Sequence, residues 1–219
     1  MPVALLPPDE DTGFPAVETA AREPNGLLAV GGDLRPARLL RAYRHGIFPW
    51  FGNGEPILWW SPDPRCVLVP AHLHVSRRLR RTLRTVPFVV TRDADFAGVV
   101  HGCAEPRRDS PGTWLVQPMI DAFIELHRLG HATSFECWHG ERLVGGIYGV
   151  RLGQVLFGES MFSRETDASK IALTQAAAAD DITLIDCQIT NPHLERLGAE
   201  EVPRERFVRL LRHHGVPAD

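Results

Sequence analysis

The second half of the chain alternates helical and strand patterns in an order that restricts the fold more than any other feature. Apolar residues recur at helical spacing from Met119 to Leu129, and Gly130 ends the pattern. The next predicted elements are three strands, a helix, a fourth strand and a final helix, at residues 133–138, 143–150, 154–159, 168–180, 182–188 and 204–212. Because each element must bury one apolar face, this order predicts a sheet layered with helices.

The predicted fold class is α+β, with a small N-terminal domain and a C-terminal acyltransferase-like sheet layered with helices. The order of elements is similar to that of N-acetyltransferase-type acyltransferases. The segment between the third strand and the next helix lacks the Gln/Arg-x-x-Gly-x-Gly/Ala loop that binds pyrophosphate in those enzymes, so coenzyme A binding is not expected. We predict residues 1–95 as a small α/β domain with a basic helix and residues 96–219 as the acyltransferase-like domain.

Composition argues against a membrane protein and against a metal site. Hydrophobic residues make up 44% of the 219 residues, and no apolar run approaches the ~20 residues of a membrane span. The N-terminus lacks the basic and apolar regions of a signal peptide. The four cysteines contain no Cys-x-x-Cys pair, and the closely spaced histidines have no nearby third ligand. These features predict a soluble cytoplasmic protein with reduced thiols, no cofactor and no metal.

A predicted helix at residues 75–84 carries a cluster of arginines. At about 100° per residue, its apolar side chains Val75, Leu79 and Leu83 share one face and its arginines share the other. We call this second set the arginine face: Arg77, Arg78, Arg80, Arg81 and Arg84. A solvated face usually mixes Glu with Arg, but no acid occurs here. Because clustered arginines bind phosphates through bidentate hydrogen bonds and counterion release, we favour nucleic acid binding over a plain surface.

A carboxylate follows an apolar strand pattern in the segment GESMFSR. Glu159 stands two residues after Phe157 and two before Met161, and burying a carboxylate among apolar groups is costly unless it is paired or used. The helix predicted to begin at Ala168 adds free N–H groups that can hold an anion. The segment indicates either a binding site or a capped strand-to-helix turn, and these residues alone do not separate the two.

The predicted strand 182–188 puts Asp186 and Gln188 on one face, because side chains alternate along a strand. Near the end of the strand, they could orient an attacking group, with Asp186 hydrogen-bonded to Gln188. The alternative is that Asp186 caps a neighbouring element and Gln188 satisfies buried backbone. From this strand alone, the alternative is favoured.

Nine short motifs occur in order along the chain. They are REPNGLLAVGGDL at residues 22–34, YRHGIFPWF at 43–51, ILWWSPDPR at 57–65, HVSRRLRRTLR at 74–84, GTW at 112–114, LVGGIYGV at 143–150, FGESMFSR at 157–164, DASK at 167–170 and LIDCQ at 184–188. This set resembles the leucyl/phenylalanyl-tRNA–protein transferase family over roughly residues 13–209. No motif is decisive by itself, but the ordered set is highly specific.

The resemblance implies an enzyme that moves Leu or Phe, and sometimes Met, from aminoacyl-tRNA to the N-terminal Arg or Lys of a protein. The new N-terminal residue then marks that protein for degradation. A small N-terminal domain joined to an acyltransferase-like domain is implied as well. Neither coenzyme A nor a metal is needed in this family.

The resemblance also assigns site residues by motif. Trp50 and Trp114 match positions around the terminal adenosine and the aminoacyl group. The residues matched to the amino-acid pocket are Ile147, where Met is familiar, together with Leu156, Ser160 and Met161. Those matched to catalysis and acceptor binding are Glu159, Asp186 and Gln188, and the arginine face matches the surface that grips the tRNA acceptor stem. Leu156-Phe157 replaces an aromatic pair, which leaves the preference between Leu and Phe open.

The implied reaction is aminolysis of an ester. An α-amine of pKa ~7.7–8.0 is partly neutral at pH 7, so the enzyme must mainly hold the reactants, accept a proton and stabilise the oxyanion. Because an amide barely accepts protons, Gln188 is predicted to orient the amine rather than to act as a base, and Asp186 is predicted to hold Gln188. Glu159 is predicted to attract the cationic end of the acceptor. Two alternatives remain: an N-acetyltransferase, which should bind acetyl-CoA, and a non-catalytic RNA-binding protein, which leaves those three residues unexplained.

Overall fold

The computed structural model describes residues 3–8, 12–106 and 115–218 and contains two sheets. The smaller sheet has the strand order β1-β2-β4-β3. Its strands are β1 (Ala4–Leu6), β2 (Leu27–Gly31), β3 (Phe48–Pro49) and β4 (Leu58–Trp60). Between β2 and β3 runs helix α1 (Pro36–Arg44), whose buried residues Leu39, Ala42 and Tyr43 join the main hydrophobic core.

The larger sheet has seven strands in the order β11-β5-β10-β9-β8-β7-β6. They are β5 (Arg65–Leu68), β6 (Phe88–Arg92), β7 (Ala132–His139), β8 (Arg142–Leu152), β9 (Val155–Ser163), β10 (Leu184–Gln188) and β11 (Glu200–Val202). All neighbouring pairs are antiparallel except β9 and β10, which are parallel. A parallel pair needs a crossover connection, and helix α5 supplies it.

Helices cover both faces of the larger sheet. The remaining helices are α2 (Arg77–Thr85), α3 (Phe96–Ala104), α4 (Gln117–Arg128), α5 (Ala168–Ala177), α6 (Pro192–Arg196) and α7 (Arg204–His213). Buried residues of α1, α3, α4 and α7 pack in one core, and those of α2 and α5 pack in another. Gly145 lets α5 approach β8 closely, because a Cβ at this position would lie 2.6 Å from the Cβ of Ala168.

The α+β class is confirmed, and the predicted elements of the second half occur in the predicted order, with bounds displaced by up to four residues. Helices α3 and α6 and the short strands β5 and β11 were not predicted. The division at residue 95 stays a prediction; strands β5 and β6 precede it in the chain yet belong to the larger sheet. All four cysteines are free thiols. Within the described ranges, none of the helices has the length and apolar character needed to cross a membrane.

Two irregularities open the sheet between β9 and β10. Tyr148 pairs with Ser160 and Gly149 with Gly158, which leaves Glu159 as the extra residue of a β-bulge. A second register shift separates Asp186 from Gln188 in β10. The pairing of β9 with β10 ends where Asp186 faces Phe157, and the residues that follow on both strands border a cavity.

Candidate active site

A cavity of about 1230 Å³ lies where β9 and β10 separate. Its polar side is formed by residues that follow the last paired positions of the two strands, among them Glu159, Ser160 and Gln188. Helix α5 contributes Ser169 and Leu173 to the lining. The termination of a parallel strand pair therefore creates the concave site into which the candidate catalytic residues project.

Glu159 is half-buried, and its carboxyl group is held by two neighbours. Its Oε1 atom accepts a hydrogen bond from the Tyr43 hydroxyl at 2.8 Å and a second from Gln188 Nε2 at 3.2 Å. Burial raises the pKa of Glu159 to about 8, although the Tyr43 hydrogen bond acts in the opposite direction. With its midpoint about one pH unit above neutrality, this carboxyl group is mostly protonated at pH 7 and keeps a minor ionised fraction, so both forms are accessible for proton exchange.

Asp186 forms a buried ion pair with Arg65. The Nε and Nη2 atoms of Arg65 donate to the two carboxylate oxygens at 2.7 and 2.6 Å, and the side chains are 1% and 0% exposed. A third guanidinium nitrogen, Nη1, donates to the carbonyl of Gly46 at 3.1 Å. The rings of Phe48 and Phe207 lie 4.8 and 4.6 Å from the guanidinium carbon. Both carboxylate oxygens of Asp186 are therefore bound by Arg65, and its side chain has no exposed surface for a substrate.

Gln188 is bound to Asp186 through its backbone and to Glu159 through its side chain. Its N–H donates to Asp186 Oδ1 at 3.0 Å, while its amide nitrogen donates to Glu159. The predicted hydrogen bond between Asp186 and Gln188 is therefore confirmed, but it comes from the Gln188 backbone N–H, because the bulge turns the Gln188 side chain towards Glu159 on β9. A φ of 57° puts Gln188 in the left-handed region, which is uncommon for a residue other than glycine and is concentrated at functional sites.

An apolar region adjoins the polar residues of the cavity. It is lined by Ile147, Met161, Leu173 and Ile185. Trp50 stands at the rim, 42% exposed, and its carbonyl accepts a hydrogen bond from Trp60 Nε1 at 2.7 Å. The cavity therefore combines an apolar region large enough for a side chain with an exposed aromatic ring.

Two residues matched to the aminoacyl and adenosine pocket fall outside this description. Leu156 is fully buried in the core shared with α5 and does not line the cavity, because the bulge at Glu159 starts only beyond it. Trp114 lies outside the described residues.

The start of α5 is not the open anion site that the sequence suggested. The N–H of Ala168 donates to the Glu165 carbonyl at 3.2 Å, and that of Ser169 donates to Ser163 Oγ at 3.3 Å. The residue before the helix, Asp167, is itself an anion and accepts from Lys170 Nζ at 2.8 Å. The capped-turn interpretation is correct for the helix start, whereas Glu159 does border a cavity.

The arginine face is exposed on α2, as predicted, and Leu79 is buried beneath it. Leu83 was predicted to share the buried face but is 41% exposed, because the helix packs only along its first turns. Ser76 begins the helix by accepting a hydrogen bond from the Leu79 N–H at 3.2 Å. Arg78 lies 3.6 Å from the Asp167 carboxylate, so one member of the face has an acidic neighbour from another element.

A smaller cavity connects α2 with the main one. It is lined by Arg78 and Thr82 of α2, and its remaining lining includes Arg164 and Thr166, which also line the main cavity. The smaller cavity, beside Arg78 on the arginine face, therefore shares part of its wall with the main cavity.

Two residues of this site were missed by the sequence. Tyr43 has the spacing of a helix core residue, and Arg65 sits in a loop-rich segment 121 positions before its partner. Neither carries a local signal of burial beside a carboxylate. Both became identifiable only through their partners in the folded chain.

Comparison with known proteins gives matches over almost the whole chain. The family model described as leucyl/phenylalanyl-tRNA protein transferase matches residues 67–212, and the model of its N-terminal domain matches residues 32–63. The leucyl/phenylalanyl-tRNA–protein transferase of Stutzerimonas stutzeri (strain A1501) is 54% identical over 94% of this chain and 92% of its own. That of Aromatoleum aromaticum is 57% identical over 89% and 83%.

One solved structure is also similar. A GCN5-related N-acetyltransferase from Kribbella flavida matches 77% of this chain and 61% of its own at 15% identity, with a TM-score of 0.39.

Proposed function

The chain belongs to the leucyl/phenylalanyl-tRNA–protein transferase family, and from this premise we propose that it transfers Leu or Phe, and sometimes Met, from aminoacyl-tRNA to a protein whose N-terminal residue is Arg or Lys. The product carries a new N-terminal residue that marks it for degradation. We propose a cytoplasmic location because charged tRNA is made there.

The observation that carries this proposal is the half-buried Glu159 beside an apolar cavity wall. A carboxylate at this point attracts the cationic amine of an acceptor, while the apolar wall suits the side chain of Leu or Phe. Ile147 and Met161 are the proposed side-chain contacts, with Ser160 next to them. Trp50 and Trp114 are the proposed neighbours of the terminal adenosine, since aromatic rings stack on bases.

The proposed chemistry is attack of the acceptor amine on the aminoacyl ester. Ionised Glu159 holds the amine, and Gln188 orients it through a side chain already aligned with Glu159. Asp186 acts indirectly: its hydrogen bond to the Gln188 N–H maintains the left-handed backbone, and Arg65 fixes Asp186. Proximity and alignment of two bound reactants supply most of the rate in such a reaction.

The arginine face is the proposed site for the acceptor stem of tRNA. Its side chains are exposed, and the smaller cavity beside Arg78 shares lining residues with the main cavity. On a chain of net charge −3, a concentrated cationic face can attract a polyanion that the protein as a whole would repel.

The proposal is tested with tRNA carrying labelled Leu and a peptide that begins with Arg. Labelled peptide is the expected product, and a peptide of the same sequence with an acetylated N-terminus is the matched control, because it lacks a nucleophilic amine. Absence of product from the free peptide would refute the proposal. Tight coenzyme A binding with acetyl transfer would favour an N-acetyltransferase instead.

A further inference from the structure

Tyr43 reaches the candidate active site from outside the larger sheet. It lies on α1, is 0% exposed, and its hydroxyl donates to Glu159 Oε1 at 2.8 Å across 116 positions of sequence. Its ring packs 5.1 Å from that of Phe157, two positions before Glu159 on β9. A ring held in this way leaves the hydroxyl little freedom, so its hydrogen bond sets the orientation of the carboxyl group.

The two donors to Glu159 converge on the same oxygen. Tyr43 and Gln188 both donate to Oε1, and among the described residues Oε2 accepts no hydrogen bond. Since Glu159 borders the cavity, this second oxygen is the part of the carboxyl group available to a ligand. Tyr43 thus fixes one oxygen and leaves the other for the acceptor.

Charged and polar groups on β10, β5 and β8 surround Glu159 in addition to Tyr43. Asp186 on β10 raises its pKa and Arg65 on β5 lowers it, and these two charges pair with each other. Tyr148 on β8 faces the same region with a buried hydroxyl that has no hydrogen-bond partner among the described residues. Tyr43 is therefore the neighbour whose hydroxyl directly stabilises ionised Glu159.

We propose that Tyr43 is a positioning residue that holds Glu159 so that its free oxygen takes a proton from the acceptor's α-ammonium group. This inference rests on the proposed function. One proton moves from nitrogen to Glu159 Oε2, and the neutral amine attacks the ester carbon. The carbon–oxygen bond to the ribose then breaks, and a second proton from the same nitrogen passes to the ribose oxygen. An ammonium and an ester become an amide, an alcohol and one proton, which Glu159 releases to solvent.

The proton affinities of the two groups support this transfer. The α-amino group of a peptide has a pKa of ~7.7–8.0, and burial raises that of Glu159 to about 8. Proton exchange between groups of matched pKa is close to isoenergetic, and a base is most effective when its pKa lies near the working pH.

The test is the pH dependence of kcat/KM for a peptide that begins with Arg, compared between wild type and Tyr43→Phe. Removing a hydrogen bond to the ionised form raises the Glu159 pKa further. The acid limb, the part of the kcat/KM profile where activity falls as the pH decreases, should therefore shift to higher pH by about one to two units. Activity at pH 7 should fall by about 10- to 100-fold and recover in alkaline buffer. The matched control is Tyr148→Phe, which removes a buried hydroxyl without a partner and should leave the limb in place.

A second measurement does not depend on Tyr43→Phe folding. The chain contains two tyrosines, so the Tyr148→Phe variant grown with difluorotyrosine carries fluorine at position 43 alone. The more acidic phenol is a stronger donor and should move the acid limb downward, opposite to Tyr43→Phe.

The outcomes separate this inference from the proposed function. A wild type that makes no labelled peptide refutes both. If the wild type is active but neither Tyr43→Phe nor fluorination shifts its acid limb, the role of Tyr43 is overturned and the proposed function stands. The same conclusion follows if Tyr148→Phe shifts the limb as much as Tyr43→Phe does.

Discussion

Asp186→Asn is expected to destabilise the protein as well as slow the reaction, because it leaves a buried guanidinium without its counter-charge. Arg65 and Asp186 share two hydrogen bonds of 2.7 and 2.6 Å, and neither side chain is more than 1% exposed. An asparagine presents an NH₂ group to one of these nitrogens, so a donor then faces a donor. The same change weakens the acceptor for the Gln188 N–H.

The size of the effect follows from burial. Removing one partner of a buried ion pair costs about 3–5 kcal/mol, since the remaining charge is neither solvated nor paired. In a domain of about 150–250 residues, 1 kcal/mol lowers the melting temperature by about 2–4 °C, so Asp186→Asn should lower it by about 6–20 °C. A matched control is Asp181→Asn: Asp181 forms a bidentate pair with Arg92 at 2.8 and 2.9 Å but is 43% exposed, so its loss should cost no more than about 1 kcal/mol.

Thermal unfolding of wild type, Asp186→Asn, Arg65→Met, the double variant and Asp181→Asn tests this reasoning. The double variant should lose less stability than the two single changes add up to, because it no longer buries an unpaired charge. Transfer is then measured at a temperature where each variant stays folded. If Asp186→Asn lowers the melting temperature no more than Asp181→Asn does, the ion pair does not stabilise the site. The same holds if the stability lost by the double variant equals the sum of the losses of the two single variants.

Three further predictions concern substrate binding and turnover. Replacing the members of the arginine face other than Arg78 with Ala should weaken tRNA binding and make its log–log salt slope shallower by about 3 without changing unfolding; an unchanged slope in filter binding would contradict it. Glu159→Gln should reduce transfer to Arg- and Lys-starting peptides more than tRNA affinity, since the amide has no charge for the acceptor; equal losses would indicate a structural role. Gln188→Ala should slow single turnovers by about one to three powers of ten at constant tRNA affinity, and a rate near that of wild type would exclude an orienting role.

Elements with a strong local pattern were predictable. The three-strand meander follows from alternating side chains and a turn at Gly140, and α2 follows from the separation of its arginines and its apolar residues onto opposite faces. Strands β5 and β11 were not predictable, because Arg65–Leu68 and Glu200–Val202 are short segments that become strands only by pairing with each other and with β10. The exposure of Leu83 was missed for a related reason, since a helical face does not reveal how far a neighbour extends along it.

The candidate site divides in the same way. The ordered motifs were sufficient to indicate the family, and the resemblance matched Glu159, Asp186 and Gln188 to catalysis and acceptor binding. The arrangement of these three residues could not be predicted, because it depends on irregularities in β9 and β10 that change the direction of each side chain.

What the sequence determined by itself is the set of local preferences: helical and alternating periods, a helix cap, an exposed row of arginines and a carboxylate after an apolar strand. What only the tertiary structure decided is which groups meet. Tyr43 contacts Glu159 across 116 positions and Arg65 contacts Asp186 across 121, and each contact forms because separate elements pack on one sheet. Hydrogen bonds and ion pairs act over a few ångströms, whereas no local pattern encodes a distance between remote segments, so the Glu159 carboxyl group acquires its partners only when the chain folds.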